Sequence, residues 1–110
     1  WDMFVNLLEK YGVVPKSVMP ETHSSSNSRT MNSQLMYKLR EYAWTLREMH
    51  GQDAPVDDLR RAKGDMVEEF HRMLCIHLGK PPSRFFWEWR DKDNQFHRYG
   101  KITPREFYET

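Results

Sequence analysis

Cys75 is the only cysteine of the chain and therefore the only thiol that could act as a nucleophile. His71 precedes it by one helical turn, so the two side chains could share a proton or contribute two ligands to a metal ion. A metal site needs three or four ligands, however, and a catalytic cysteine needs an exposed thiolate. The spacing therefore favours a small buried residue over a functional thiol, and we expect neither a metal nor another cofactor.

Asp91 opens the stretch DKDNQF, whose alternating carboxylates begin like a calcium-binding loop. Such a loop needs glycine at its sixth position and glutamate at its twelfth, and Phe96 and Ile102 occupy these positions. The stretch is therefore predicted to form the turn of a β-hairpin.

Aromatic residues and arginines are mixed in RFFWEWR, residues 84–90. Aromatic rings beside arginines can stack the bases of single-stranded nucleic acid. Three carboxylates of the same predicted hairpin would repel phosphates, and these belong to Glu88, Asp91 and Asp93. A packed aromatic ribbon is the favoured interpretation, and nucleic acid is not an expected partner.

Ser24, Ser25 and Ser26 stand beside His23, but neither a Gly-x-Ser-x-Gly elbow nor a partnered acid accompanies them. The polar stretch HSSSNS has no periodicity and is typical of a loop that ends in a helix cap. These residue patterns, taken alone, predict no active site.

Helical periodicity predicts the elements that carry these residues, with helices over about 2–11, 29–50 and 56–78. Gly12 should end the first helix in a left-handed conformation, and Pro20 should keep SVMPET, residues 17–22, extended. The two long helices, joined by GQDAP, should pack as an antiparallel hairpin. Their facing apolar residues are Leu35, Leu39, Tyr42, Leu46 and Met49 on one helix, and Leu59, Ala62, Met66, Phe70, Met73, Leu74 and His77 on the other.

The spacing of apolar residues changes to alternation at Phe85, Trp87 and Trp89, which predicts a β-strand. After the turn, residues 96–102 should form a second strand that pairs with the first. Thr103 and a following proline should then cap a short helix in PREFYE. The fold class is therefore mainly α, within α+β: a helical hairpin and a short β-hairpin.

Composition limits the partners of this fold. The 17 Lys and Arg residues balance 16 Asp and Glu residues, so the charge does not favour a polyanion. No apolar run approaches the ~18 residues that a membrane span needs, and no membrane partner is expected.

Three stretches resemble, in order, the bleomycin hydrolase and aminopeptidase C family of papain-like cysteine aminopeptidases. They are WDMFVNLLEKYGVVPKSVMPET, MNSQLMYKLREYAWTLREM and EWRDKDNQFHRYGKITPREFYE. The resemblance covers the chain apart from a variable connection at 51–65. It implies that residues 1–22 belong to the papain-like core, as a helix and an extended segment. Residues 23–110 would then form a family-specific helical insertion with a β-hairpin.

The resemblance also implies a function. The chain, which begins within a helix, would be an internal segment of a longer enzyme that removes N-terminal residues from peptides. The family's catalytic Cys is followed by Trp, whereas Cys75 is followed by Ile76 and therefore does not match it. The family's distant catalytic His and Asn have no counterpart here either. No catalytic residue is therefore placed on the chain, and the segment alone is expected to be inactive.

Trp1 is the one residue for which the resemblance implies substrate binding, on the S2 side of the cleft; the alternative is a tryptophan packed in the core. The resemblance further implies peptide substrates, a homo-oligomer (a hexamer in the family) and a cytoplasmic location. A different class of function stays open: a standalone helical module for protein interaction or oligomerisation, without enzymatic activity.

Overall fold

The computed structural model describes residues 1–110 and divides them into two compact units. The hairpin unit consists of residues 1–20 and 81–110, and the helical unit consists of residues 21–80. The elements, in chain order, are α1 (Asp2–Tyr11), α2 (His23–Ser26), α3 (Arg29–Gly51), α4 (Val56–Leu78), β1 (Phe85–Arg90), β2 (Phe96–Ile102) and α5 (Pro104–Glu109). The predicted fold class, mainly α with one β-hairpin, is confirmed.

The long helices of the helical unit run antiparallel, as predicted. Gln34, near the start of α3, contacts His77, near the end of α4. At the opposite ends of the helices, Leu46 and Leu59 line one shared apolar groove. Each helix ends within one residue of its predicted boundary, because its apolar stripe stops there and glycine or proline follows.

The stretch HSSSNS contains a helix, so the prediction of a loop was wrong. Residues His23–Ser26 form α2, and Thr22 caps it by accepting a hydrogen bond from the backbone N–H of Ser25 at 3.2 Å. The hydroxyl of Ser25 in turn accepts from the N–H of Thr22 at 2.8 Å, which completes a capping box. The expected cap, Ser28, precedes α3 but makes no side-chain hydrogen bond to its first turn.

The stretch SVMPET, residues 17–22, is not extended throughout, which also differs from the prediction. The carbonyl of Pro15 accepts hydrogen bonds from the N–H groups of Val18 and Met19, at 3.0 and 3.2 Å. Pro15, just before this stretch, presets the backbone angle that a turn needs, so the turn extends into the residues predicted to be extended.

The hairpin unit contains the predicted strands β1 and β2, paired antiparallel. Phe85 pairs with Ile102, and these side chains are the most buried of the unit, at 7% and 8% exposure. The register shifts at a bulge between Trp87 and Glu88. Thr103 caps α5, as predicted, and Glu106 completes a capping box with it, which was not predicted.

Gly12 joins the end of α1 to the start of α5. Its φ of 77° is positive, as expected, but its ψ of −164° is extended and not left-handed helical. A Cβ at this position would overlap the backbone carbonyl of Pro104, which also accepts a hydrogen bond from Val13 N–H at 3.1 Å. Glycine is required here by the close approach of two backbone segments.

The two units divide the chain at different points from the predicted boundary between Thr22 and His23. Which residues correspond to a papain-like core stays a prediction. None of the helices combines the length and the apolar character that crossing a membrane requires.

Candidate functional site

Trp1, the predicted substrate-binding residue, caps the start of α1. Its carbonyl accepts hydrogen bonds from the N–H groups of Phe4 and Val5, at 3.0 and 3.1 Å. Its ring lies 5.7 Å from the ring of Phe4 and is 91% exposed. The same exposed side of α1 carries Leu7 and Tyr11. Trp1 therefore begins an apolar surface, and its contact with substrate stays a prediction.

Cys75 and His71 lie together on α4, as their spacing indicated. The sulfur is 3.7 Å from Nε2 and 3.9 Å from Nδ1 of the ring, at the long end for a hydrogen bond to sulfur. The thiol is half-buried, so its exposure lies between those of an inert core residue and an open nucleophile. The chain holds no group of three or more His, Cys, Asp or Glu side chains that could bind a metal ion.

Asp91 organises the turn between β1 and β2, which confirms the predicted hairpin. Its Oδ1 accepts hydrogen bonds from the N–H groups of Asp93 and Gln95, both at 2.9 Å. Its Oδ2 accepts from Nε2 of His97 at 2.7 Å. The bond from His97, followed by those from the two backbone groups, lowers the pKa of the Asp91 carboxyl below its ordinary value.

The aromatic residues of β1 form the predicted packed ribbon. Trp87 and Trp89 stack with their ring centroids 5.6 Å apart, and Trp89 also stacks on His97 at 4.9 Å and on Tyr99 at 5.3 Å. The edge-on ring of Phe107, in α5, lies 4.8 Å from Trp87. The part played by Phe107 was missed, because strand periodicity carries no information about a side chain from the following helix.

Lys38, Tyr42 and Glu69 form a polar cluster between α3 and α4. Tyr42 donates to Oε2 of Glu69 at 2.8 Å, and Lys38 lies 3.0 Å from Oε1. Hydrogen bonds from Lys38 and then Tyr42 lower the pKa of the Glu69 carboxyl, and the same contact with Glu69 raises the pKa of Lys38. The cluster fixes the register of the two helices.

Ser24, His77 and Gln34 form a second polar cluster, which the sequence did not indicate. The hydroxyl of Ser24 lies 2.9 Å from Nδ1 of His77, and Nε2 lies 2.9 Å from Oε1 of Gln34. These residues come from three different helices, so no local spacing links them. The only signal was the position of His77 on the inner stripe of its helix.

Comparison with known proteins settles the family. The sequence model of the Peptidase C1-like family matches residues 1–110. The chain belongs to the Peptidase C1-like family. As a member of this family it is related to papain-like cysteine peptidases, which confirms the resemblance drawn from its three sequence stretches.

Individual members of the Peptidase C1-like family match nearly the whole chain. Bleomycin hydrolase from Oryctolagus cuniculus is 48% identical over 108 residues, which are 98% of this chain and 39% of that protein. Aminopeptidase C from Listeria monocytogenes is 44% identical over 109 residues, which are 99% of this chain and 24% of that protein.

A solved structure shares the fold. The structure of PepW from Lactobacillus rhamnosis HN001 superimposes with a TM-score of 0.95 and 46% identity, covering all of this chain and 25% of that one. The chain therefore spans between about a quarter and two fifths of the length of these relatives.

Proposed function

We propose that this chain is a segment of a cysteine-type aminopeptidase, similar to bleomycin hydrolase, that removes N-terminal residues from peptides. The match of the Peptidase C1-like family to residues 1–110 carries this proposal. The names of the relatives from Oryctolagus cuniculus and Listeria monocytogenes support it, because both proteins match at least 98% of this chain.

The catalytic residues of the enzyme lie outside this segment in our proposal. Cys75 lies within α4, and Ile76 follows it where the family's nucleophile has tryptophan. Its neighbour His71 approaches only to 3.7 Å and shares the same helix. In papain-like enzymes the thiolate, the histidine and a third polar residue come from separate parts of the chain.

The test compares the segment with the complete protein that contains it. The complete protein should release the amino acid from an aminoacyl-coumarin substrate, and iodoacetamide should abolish this activity. The purified 110-residue segment should show none. Hydrolysis by the segment that iodoacetamide blocks would contradict the inactive assignment.

A variant of Cys75 tests whether this residue is the catalytic nucleophile. Complete protein carrying Cys75→Ala should keep its activity and its sensitivity to iodoacetamide, because another thiol performs the reaction. Loss of activity in a protein that still folds would refute this part of the proposal.

The proposal extends to location and assembly. Peptides are the substrates, Trp1 forms part of the apolar wall that receives them, and the enzyme acts in the cytoplasm without membrane or nucleic-acid partners. The complete protein assembles as a homo-oligomer, as the family resemblance implies.

A second candidate function is an interaction module, and one surface favours it. The groove between α3 and α4 encloses about 340 Å³ and has an almost wholly apolar lining, in which Leu39 is 47% exposed. Apolar surfaces of this kind mark contacts with other chains or chain segments. Sedimentation velocity should detect self-association of the segment at high concentration, whereas a single monomeric species throughout would argue against both the module and a segment-borne oligomer contact.

A further inference from the structure

Ser24, His77 and Gln34 are arranged like a nucleophile, a base and a group that orients the base. The hydroxyl oxygen of Ser24 and Nδ1 of His77 are 2.9 Å apart, within the range over which a general base takes a proton. On the far side of the ring, Oε1 of Gln34 lies 2.9 Å from Nε2. The backbone of His77 is held as well, because its carbonyl accepts a hydrogen bond from the Thr22 hydroxyl at 2.7 Å.

The amide oxygen of Gln34 selects the tautomer of His77. A carbonyl oxygen can only accept, so the hydrogen of the neutral imidazole resides on Nε2. The lone pair of Nδ1 then faces the Ser24 hydroxyl, which donates to it. This is the protonation state that a base needs before it can remove a proton, and an amide orients the base in the Cys-His-Asn arrangement by the same logic.

We propose that Ser24 is an acyl-accepting serine that reacts with activated esters. The Ser24 oxygen forms a bond to the carbonyl carbon of the ester while its proton moves to Nδ1 of His77. The bond from that carbon to the alkoxy or aryloxy group then breaks, and the departing oxygen leaves with its electron pair. The product is an O-acyl Ser24. Gln34 acts as a positioning residue, and the inference is independent of the cysteine peptidase activity proposed above.

Ser25 and Ser26 provide internal controls in the same short helix. Both hydroxyls donate to the carbonyl of Thr22, at 2.9 and 3.1 Å. An amide carbonyl is not a base at neutral pH, so neither hydroxyl is prepared for attack. All three serines belong to the tryptic peptide of residues 17–29, which allows one spectrum to compare them.

The experiment treats the 110-residue chain with p-nitrophenyl acetate and locates O-acetyl groups by tandem mass spectrometry. Ser24 should be acetylated at least about tenfold faster than Ser25 or Ser26, a lower bound for a positioned base. Equal acetylation of the three serines would overturn the proposal without any variant being made.

Two substitutions test the roles of the partners. His77→Asn leaves a hydrogen-bonding atom near Ser24 but removes the base, so acetylation of Ser24 should fall to the level of Ser25. Gln34→Glu should move the midpoint of the pH–rate profile upward, because the carboxylate stabilises the imidazolium. Gln34→Leu should move it downward, because the amide oxygen that accepts from Nε2 is removed. An unchanged Ser24 rate in His77→Asn, or one pH profile shared by both Gln34 variants, would refute the assigned mechanism.

Discussion

The hydroxyl of Tyr42 donates a hydrogen bond to Oε2 of Glu69 across the interface of α3 and α4, at 2.8 Å. Tyr42 is among the few residues that the chain buries, with 9% exposure, whereas Glu69 remains half-exposed. The contact lets a tyrosine occupy the apolar seam while its polar end stays satisfied. The same residue therefore contributes to the packing of the two helices and, through its hydrogen bond, to their register.

Tyr42→Phe should lower the melting temperature of the chain by about 4 °C, because one partly buried hydrogen bond is lost while the ring stays in place. Circular dichroism at 222 nm, a standard helix wavelength, measures the change. Tyr37→Phe is the matched control, since Tyr37 lies on the same helix with an exposed side chain. Equal melting temperatures for wild type and Tyr42→Phe would show that the bond contributes nothing.

The hairpin turn should be sensitive to acid through Asp91. The pKa of its carboxyl is lowered in the folded chain by His97 and by two backbone N–H groups. The unfolded chain therefore binds a proton more readily, and the stabilisation is complete above the ordinary pKa of aspartate, about 3.9. It should be lost progressively as the pH falls below that value through the lowered pKa of the folded state.

The stacked pair Trp87 and Trp89 reports this transition through its near-ultraviolet circular dichroism. The signal should weaken on acidification in wild type, and Asp91→Asn should remove most of that pH dependence because its amide does not titrate. Asp93→Asn is the control, since Asp93 contributes only its backbone N–H to the Asp91 carboxylate. An acid transition that persists unchanged in Asp91→Asn would assign it to another group.

Local physical rules were sufficient for most element boundaries. The helical spacing of apolar residues, with glycine and proline near the ends, predicted α3 and α4. The alternation of apolar residues predicted β1. The cap at Thr103 was visible for the same reason, because the capping threonine and the proline at the first helical position are adjacent in the sequence. The capping box at Thr22 escaped notice because Ser25, in place of the usual Glu or Gln, supplies its second half.

Contacts between distant residues could not be predicted in this way. Nothing in the neighbourhood of Ser24 indicates that His77 will lie beside it, since the packing of three helices brings them together. The exposed fraction of each side chain could not be predicted either. The apolar pattern predicted Leu39 in the interface between the two helices. Because two helices cover only part of each other's apolar stripe, Leu39 remains 47% exposed. Amphipathic spacing identifies a side that can be buried, not the amount of surface that covers it.

Gly12→Ala should destabilise the chain by about 2 kcal/mol or more, because alanine is strained at a φ of 77° and its Cβ would overlap the Pro104 carbonyl. Gly64→Ala provides the opposite control. Gly64 lies inside α4 with open space around it, so alanine there should stabilise the helix by about 1 kcal/mol. Urea unfolding measures both, and a Gly12→Ala chain as stable as wild type would contradict the close approach of Gly12 to α5.

Trp1 should influence substrate choice in the complete enzyme if its exposed ring forms a wall of the cleft. Trp1→Ala removes a large apolar surface and opens space, so the ratio of kcat/KM values for two dipeptide substrates of different side-chain size should change by about tenfold. Peptides that are extended at their N-terminus should also become better substrates. Alkylation of the catalytic thiol should keep its rate, because Trp1 does not take part in the chemistry.

Trp44→Ala is the control for this last prediction, since Trp44 is another exposed tryptophan but lies on α3, in the helical unit. It should leave the substrate ratio unchanged, which separates a specific wall from a general effect of losing an aromatic ring. If the substrate panel gives the same ratios for Trp1→Ala and wild type, Trp1 serves packing in the complete protein. In that case Trp1→Ala should instead lower the melting temperature of the complete protein, because a cavity would replace the buried ring.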